Sequence, residues 1–137
     1  MKKIIFLELD EVIEIHKYQI DKYGGIEGIR DLDLLKSAID MPRSGIGNEF
    51  FHKNIFEMAS AYLYHIIKNH PFLDGNKRVA FGAMDIFLQM NGLILKADEN
   101  ELYKLIIDIA SGKDISKFQI ANFLKENTIY YKFSIPD

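Results

Sequence analysis

Apolar residues recur along this chain at intervals of three and four, the repeat that lays them along one face of an α-helix. Val12, Ile13, His16 and Ile20 share such a face, so a first helix is expected from Asp10 to Tyr23, where Gly24-Gly25 stops it. Ahead of it, Ile4-Ile5-Phe6-Leu7 reads as a short strand or an extended arm. Asp31 offers an N-cap for a short helix carrying Leu34, Leu35, Ala38 and Ile39 and ending near Pro42. Residues 42–52 break the periodicity with proline, glycines and polar side chains, closing on Phe50-Phe51. They mark either an ordinary connection or a mobile flap with a substrate-binding role. The stripe Ile55, Ala59, Tyr62 and Ile66, widened by Phe56, Leu63 and Ile67, predicts a largely buried helix over residues 54–68. The next helix is expected from Asn76 to Met90. Val79, Phe81, Ala83, Met84, Phe87 and Leu88 leave it few solvent-facing positions, which predicts the central helix of the fold, and Asn91-Gly92 ends it. Asp98 followed by Glu101 has the form of a capping box opening a helix to Ala110. Gly112 breaks that helix, and Asp114 is expected to cap a last one reaching Lys125. The expected fold is one all-α domain over residues 1–137, with room for one short β element.

Composition narrows the class. Apolar residues make up 48% of the chain, with ten Phe and seven Tyr, enough for a core without covalent staples. There is no cysteine, which excludes disulfides, thiolate zinc sites and a Cys nucleophile and suits a reducing cytoplasm. A formal charge of −3 argues against direct nucleic-acid binding, whose phosphate contacts need a basic surface. Met1-Lys2-Lys3 before Ile4 imitates the start of a signal peptide. Glu8, Asp10 and Glu11 interrupt it before the apolar run reaches roughly 7–15 residues. No run approaches the roughly 20 apolar residues of a membrane span. The expectation is a soluble, cytoplasmic protein.

Chemistry concentrates in nine residues, His70-Pro71-Phe72-Leu73-Asp74-Gly75-Asn76-Lys77-Arg78. They lie on a turn between two apolar helices and enter the second at its N-terminus, where free N–H groups and the helix dipole favour an anion. Gly75 lets backbone approach a phosphate closely. Asn76 can orient a phosphate oxygen or simply cap the helix. Arg78 carries a planar fork for bidentate phosphate binding. Lys77 and Arg78 together oppose the helix dipole, a cost that a negatively charged ligand turns into binding energy. Asp74 is a hard oxygen donor suited to Mg²⁺, although a turn aspartate beside glycine commonly bonds its own backbone. His70 has the chemistry of a general base on an alcohol. Each residue alone has an ordinary structural use; their co-occurrence points to a nucleotide-phosphate site. Lys68, two residues before His70, is a further source of charge for such a pocket.

Other candidates are weaker. His65 and His70 are five apart, off a shared helical face, so a zinc pair is not expected, and His16 and His52 lack partners in sequence. Gly24, Gly25 and Gly28 imitate a glycine-rich loop without the strand–turn–helix setting of a dinucleotide site.

The nine residues resemble the core motif of Fic-domain proteins, HPFx(D/E)GN(G/K)R, with every fixed position present. The Lys77 variant resembles the death-on-curing (Doc) branch, toxins of bacterial toxin–antitoxin pairs. Gly25 to Pro42, including Gly28-Ile29-Arg30-Asp31-Leu32 and Leu34 to Ile39, supports that branch, and the resemblance extends from about residue 5 to 125. It implies a compact helical fold with the motif joining two central helices. In the adenylyltransferases of the wider family, the counterpart of His70 deprotonates a target hydroxyl that attacks the α-phosphate of ATP. By the resemblance Asp74 would hold Mg²⁺, Gly75 and Asn76 would form an anion cradle, Lys77 and Arg78 would neutralise phosphate charge, and Phe72 would be a buried anchor.

In the adenylyltransferases a glycine usually stands where Lys77 stands here. In the Doc branch its replacement accompanies a reversed nucleotide pose, which would transfer the γ-phosphate of ATP to a threonine of a translation factor such as elongation factor Tu and halt translation. Many Fic proteins also carry a self-inhibitory S/T-x-x-x-E-G/N segment. Here the residues four before Glu27, Glu99 and Glu126 are Tyr23, Leu95 and Asn122, so none completes it. The resemblance therefore implies inhibition in trans by a cognate, Phd-like antitoxin that folds on binding. An AMP-transferring enzyme and an inactive antitoxin-binding module are the alternatives.

Overall fold

The computed structural model describes residues 3–130. Among them are six α-helices and two short antiparallel ribbons, a mostly helical fold. The first residues, Ile4 to Leu7, form an extended arm with no ladder partner. The arm is tied at Ile5, which exchanges two hydrogen bonds with the Asn91 side chain, both 2.9 Å. It is tied again at Leu7, whose N–H donates to the Tyr62 hydroxyl at 3.0 Å. Burial pushes that phenol up to about 12.

Helix α1 runs Leu9–Tyr23, opened by a capping box between Glu8 and Glu11 and ended by Gly24 at φ 84°. Helix α2, Leu32–Asp40, is capped by Asp31 as expected, its side chain accepting from the Leu34 N–H. A 3₁₀ turn, Met41–Arg43, follows. The expected loop then contains a small hairpin, β1 Gly45–Ile46 paired with β2 Glu49–Phe50. Phe50 packs its ring 5.5 Å from Phe6 of the arm, whereas Ile46 at the tip is 76% exposed.

Helices α3 (Ile55–Asn69) and α4 (Asn76–Met90) form the most extensive pair. The central helix is α3, which packs on α2, α4, α5 (Glu99–Ala110) and α6 (Lys117–Glu126). The expectation that α4 is central is corrected: α1 covers one flank, and the other borders a cleft where Phe81 is only partly buried. The reason is the unbroken buried run Met58 to Leu63 on α3, apolar but for Ser60, which buries every side of its middle turns. The cap of α6 also differs. Ser116 takes that role in a capping box with Gln119, and Asp114 stands outside the helix. Strand β3, Leu93–Leu95, pairs with β4, Thr128–Tyr130, so there are two small β elements where one was expected. The sequence assigns no role to residues 127–137; of these, 131–137 lie outside the described residues, as do Met1 and Lys2.

A polar cluster joins the hairpin's exit to α6. Lys117 Nζ donates to Nε2 of His52 at 3.2 Å and of His65 at 3.0 Å, partners invisible in the sequence. Burial, then the charge of Lys117, holds the His65 imidazole down at about 4; the same two causes hold His52 below the usual range. An unfolded histidine titrates near 6.5, so between that value and about 4 the unfolded chain binds more protons than the native one. The contribution of these two histidines is therefore complete above about pH 6.5 and is lost as the pH drops toward 4, while Asp85, whose carboxyl is pushed up by burial, works in the opposite direction. Asp74 and Asp108, held below the usual carboxylate range, add losses only at still lower pH. Urea midpoints measured from about pH 7 to about pH 4.5 should fall, and a His65→Gln variant should show a flatter decline.

Candidate active site

The nine-residue segment begins where α3 ends. Proline at position 71 disfavours helical geometry for the residue before it, and His70 leaves the helix in the left-handed region at φ 48°, ψ 54°. Among the described residues it is the one non-glycine with positive φ. Such a conformation persists only where surrounding contacts impose it. Here the Arg30 guanidinium imposes it, donating to the carbonyls of His70 at 2.7 Å and Asn69 at 2.9 Å. The N–H groups of Arg30 and Asp31 both donate to the Pro71 carbonyl, at 2.7 and 3.0 Å, and Leu73 N–H donates to Gly28 O at 3.0 Å. The segment 24–31 thus lies against the motif as a brace.

Phe72 is fully buried, its ring stacked 3.9 Å from His16. Its N–H donates to Asn76 Oδ1 at 2.9 Å, and its carbonyl accepts from Asn76 Nδ2 at 3.0 Å. Asn76 is 5% exposed and makes both bonds inside the loop. The expectation that its side chain caps the helix is corrected: the cap of α4 is Gly75, at φ 76° in the left-handed region, and the Asn76 amide braces the loop. What Asn76 leaves to a ligand is its backbone at the helix N-terminus.

Asp74 is pinned at three points. Its Oδ1 accepts from Gly75 N–H at 2.9 Å, its Oδ2 from Ile26 N–H at 3.0 Å, and its backbone carbonyl from His16 Nε2 at 2.8 Å. The backbone donors of Ile26 and Gly75 hold the carboxyl below its usual range, with the charge of Arg78 helping. Gly25 permits this approach, because a Cβ there would sit 2.7 Å from Asp74 Oδ2. An exposed, ionised and oriented carboxylate fits Mg²⁺, which takes one or two carboxylates and fills its remaining positions with water and phosphate oxygens. No cluster of three ligating side chains occurs among the described residues.

His70, Asp74, Gly75, Asn76, Lys77 and Arg78 all border one cleft of about 840 Å³, a size suited to a small molecule. Ile67, Phe81, Leu102 and Ile106 form its apolar wall, and Tyr103 of α5 stands at the edge, 68% exposed. Arg78 lies 4.7 Å over the Tyr23 ring, which orients its guanidinium. Lys68 does not join them. Its Nζ donates to the Ile109 carbonyl at 2.9 Å, because two residues along a helix turn a side chain about 200° from His70. Sequence reasoning missed His16, Arg30 and the apolar wall of α5. The glycines around Arg30 were a visible signal; for His16 the signal was a histidine on a buried stripe with no local partner. The arrangement offers a base, a metal-ready carboxylate and two cations at a helix N-terminus, beside an apolar wall able to take a flat ring.

The model of the Fic/DOC family matches residues 6–88, and the chain belongs to that family. It is similar to the protein kinase doc of Escherichia phage P1, 31% identical over 116 residues, 85% of this chain and 90% of that protein. It is also similar to the toxin Doc of Mycolicibacterium smegmatis, 36% identical over 76 residues, 56% of this chain and 58% of that protein. No helix among the described residues is long and apolar enough to cross a membrane.

Proposed function

We propose that this chain is the toxin of a toxin–antitoxin pair, a protein phosphotransferase that moves the γ-phosphate of ATP onto a threonine hydroxyl of a translation factor such as elongation factor Tu. The observation that carries the reading is the convergence of His70, Asp74, Lys77 and Arg78 on one cleft with an apolar wall. The names of its relatives, a protein kinase and a toxin, favour phosphoryl over AMP transfer.

In this reading His70 accepts the proton of the target hydroxyl as its oxygen bonds to the γ-phosphorus. The bond from that phosphorus to the bridging oxygen breaks, and ADP leaves with the electron pair. Asp74 would hold Mg²⁺, which would supply charge neutralisation on the phosphates. Lys77 and Arg78 meet the phosphate oxygens, together with the free N–H groups that open α4. The apolar wall takes the base. The absence of a self-inhibitory glutamate motif leaves control to a Phd-like antitoxin acting in trans.

The test is the intact mass of purified elongation factor Tu after incubation with this protein, ATP and Mg²⁺. A gain of one phosphoryl group is expected. A gain of one AMP would replace the reading with adenylylation, and an unchanged mass would remove elongation factor Tu as the substrate. Lys77→Gly deletes a cation from the phosphate site and should slow phosphoryl transfer about 10- to 100-fold, the kinetic equivalent of one charge-assisted hydrogen bond. Transfer at the parental rate would contradict the role given to Lys77.

A further inference from the structure

Asp74 and Gly75 share one peptide plane, and the hydrogen bonds on its two edges differ in origin. On the carbonyl edge, His16 Nε2 lies 2.8 Å from Asp74 O; a carbonyl only accepts, so Nε2–H is the donor. The imidazole is 2% exposed and stacked nearly parallel, at 9°, on the fully buried Phe72, so it cannot follow the carbonyl elsewhere. On the other edge, the Gly75 N–H donates to Asp74 Oδ1 at 2.9 Å. In a trans peptide carbonyl and N–H point in opposite directions. Holding the carbonyl down onto α1 therefore keeps the N–H on the opposite edge, where it meets the Asp74 carboxylate. Gly75, at φ 76°, is the residue type that admits the turned-over plane at little cost. The carbonyl edge of this plane is held by a side chain 58 residues away in sequence.

We propose that His16 is a positioning residue for the metal–phosphate site: its Nε2–H locks the Asp74–Gly75 peptide in the setting where the Gly75 N–H orients the Asp74 carboxylate. This rests on the Mg²⁺–nucleotide reading above and extends it to a buried residue of α1. Without the donor, the plane is free to turn over, and the Asp74 carboxylate loses one of its two orienting N–H groups.

The test is calorimetric titration of the full chain with Mg²⁺ and a non-hydrolysable ATP analogue. His16→Phe keeps a flat ring on Phe72 and removes the donor; His16→Gln keeps a donor at similar reach. Affinity should fall about tenfold or more in His16→Phe and stay within about threefold in His16→Gln, with parental helical content in both. Parental affinity in His16→Phe, or equal weakening in the two variants, would overturn the proposal while leaving the nucleotide reading intact. No binding by the parent would overturn both. A long-range ¹H–¹⁵N correlation of the His16 ring in the unaltered protein is a second measurement independent of variant folding. A proton on Nε2 is expected, and a neutral ring protonated on Nδ1 alone would refute the lock.

Discussion

His70→Ala is expected to lose phosphoryl transfer by about 10²- to 10⁴-fold, the range for removing a positioned general base, and to abolish growth arrest on induction. His70 is exposed at the C-terminus of α3, so this loss should come without unfolding. The backbone sharpens the expectation. Position 70 lies at φ 48°, which a side chain with a Cβ occupies at a cost and glycine occupies freely. His70→Gly should therefore match or exceed the parent in stability, by up to about 1 kcal/mol, while remaining as inactive as His70→Ala. Thermal midpoints and target phosphorylation measured on the same preparations check both halves. A histidine held in strained geometry, dispensable for stability and required for transfer, is what a functional constraint predicts. Equal toxicity from parent and His70→Ala would contradict the assignment.

Asn76→Ala should act through the other route. The Asn76 amide bonds both the N–H and the carbonyl of Phe72, and both residues are buried. Truncation leaves two backbone groups without partners, at about 1–3 kcal/mol each. A total loss of about 2–6 kcal/mol is expected in urea denaturation, accompanied by loss of nucleotide affinity because the loop bearing Asp74 is no longer shaped. Were Asn76 chiefly a phosphate ligand, Asn76→Ala would bind nucleotide poorly at parental stability. The two outcomes are separable in one denaturation experiment.

The helices were legible in the sequence because their determinants are local. Apolar spacing, Asp31 ahead of α2, Asp98 ahead of α5 and the Asn91-Gly92 stop act within one or two turns of the residues they govern. The cap of α6 was misread between two polar residues two positions apart, where the reciprocal bonds of Ser116 and Gln119 decided the boundary. The role of α3 as the central helix was not legible, because α3 and α4 are about equally apolar and only packing shows that one flank of α4 opens onto a cleft.

For the site, the sequence by itself determined which groups stand together, since His70 to Arg78 are neighbours along the chain and a turn between two helices keeps them so. Only the tertiary structure decided how those groups are aimed. Arg30 reaches His70 across 40 residues, His16 reaches Asp74 across 58, and the apolar wall arrives on α5. Lys68, close in sequence, is turned away by helical phase. A helix or turn is set by contacts a few residues apart, and those can be read in order. Orientation at the site depends on backbone carbonyls meeting donors from distant segments, and a carbonyl carries no mark in the sequence of which donor will find it.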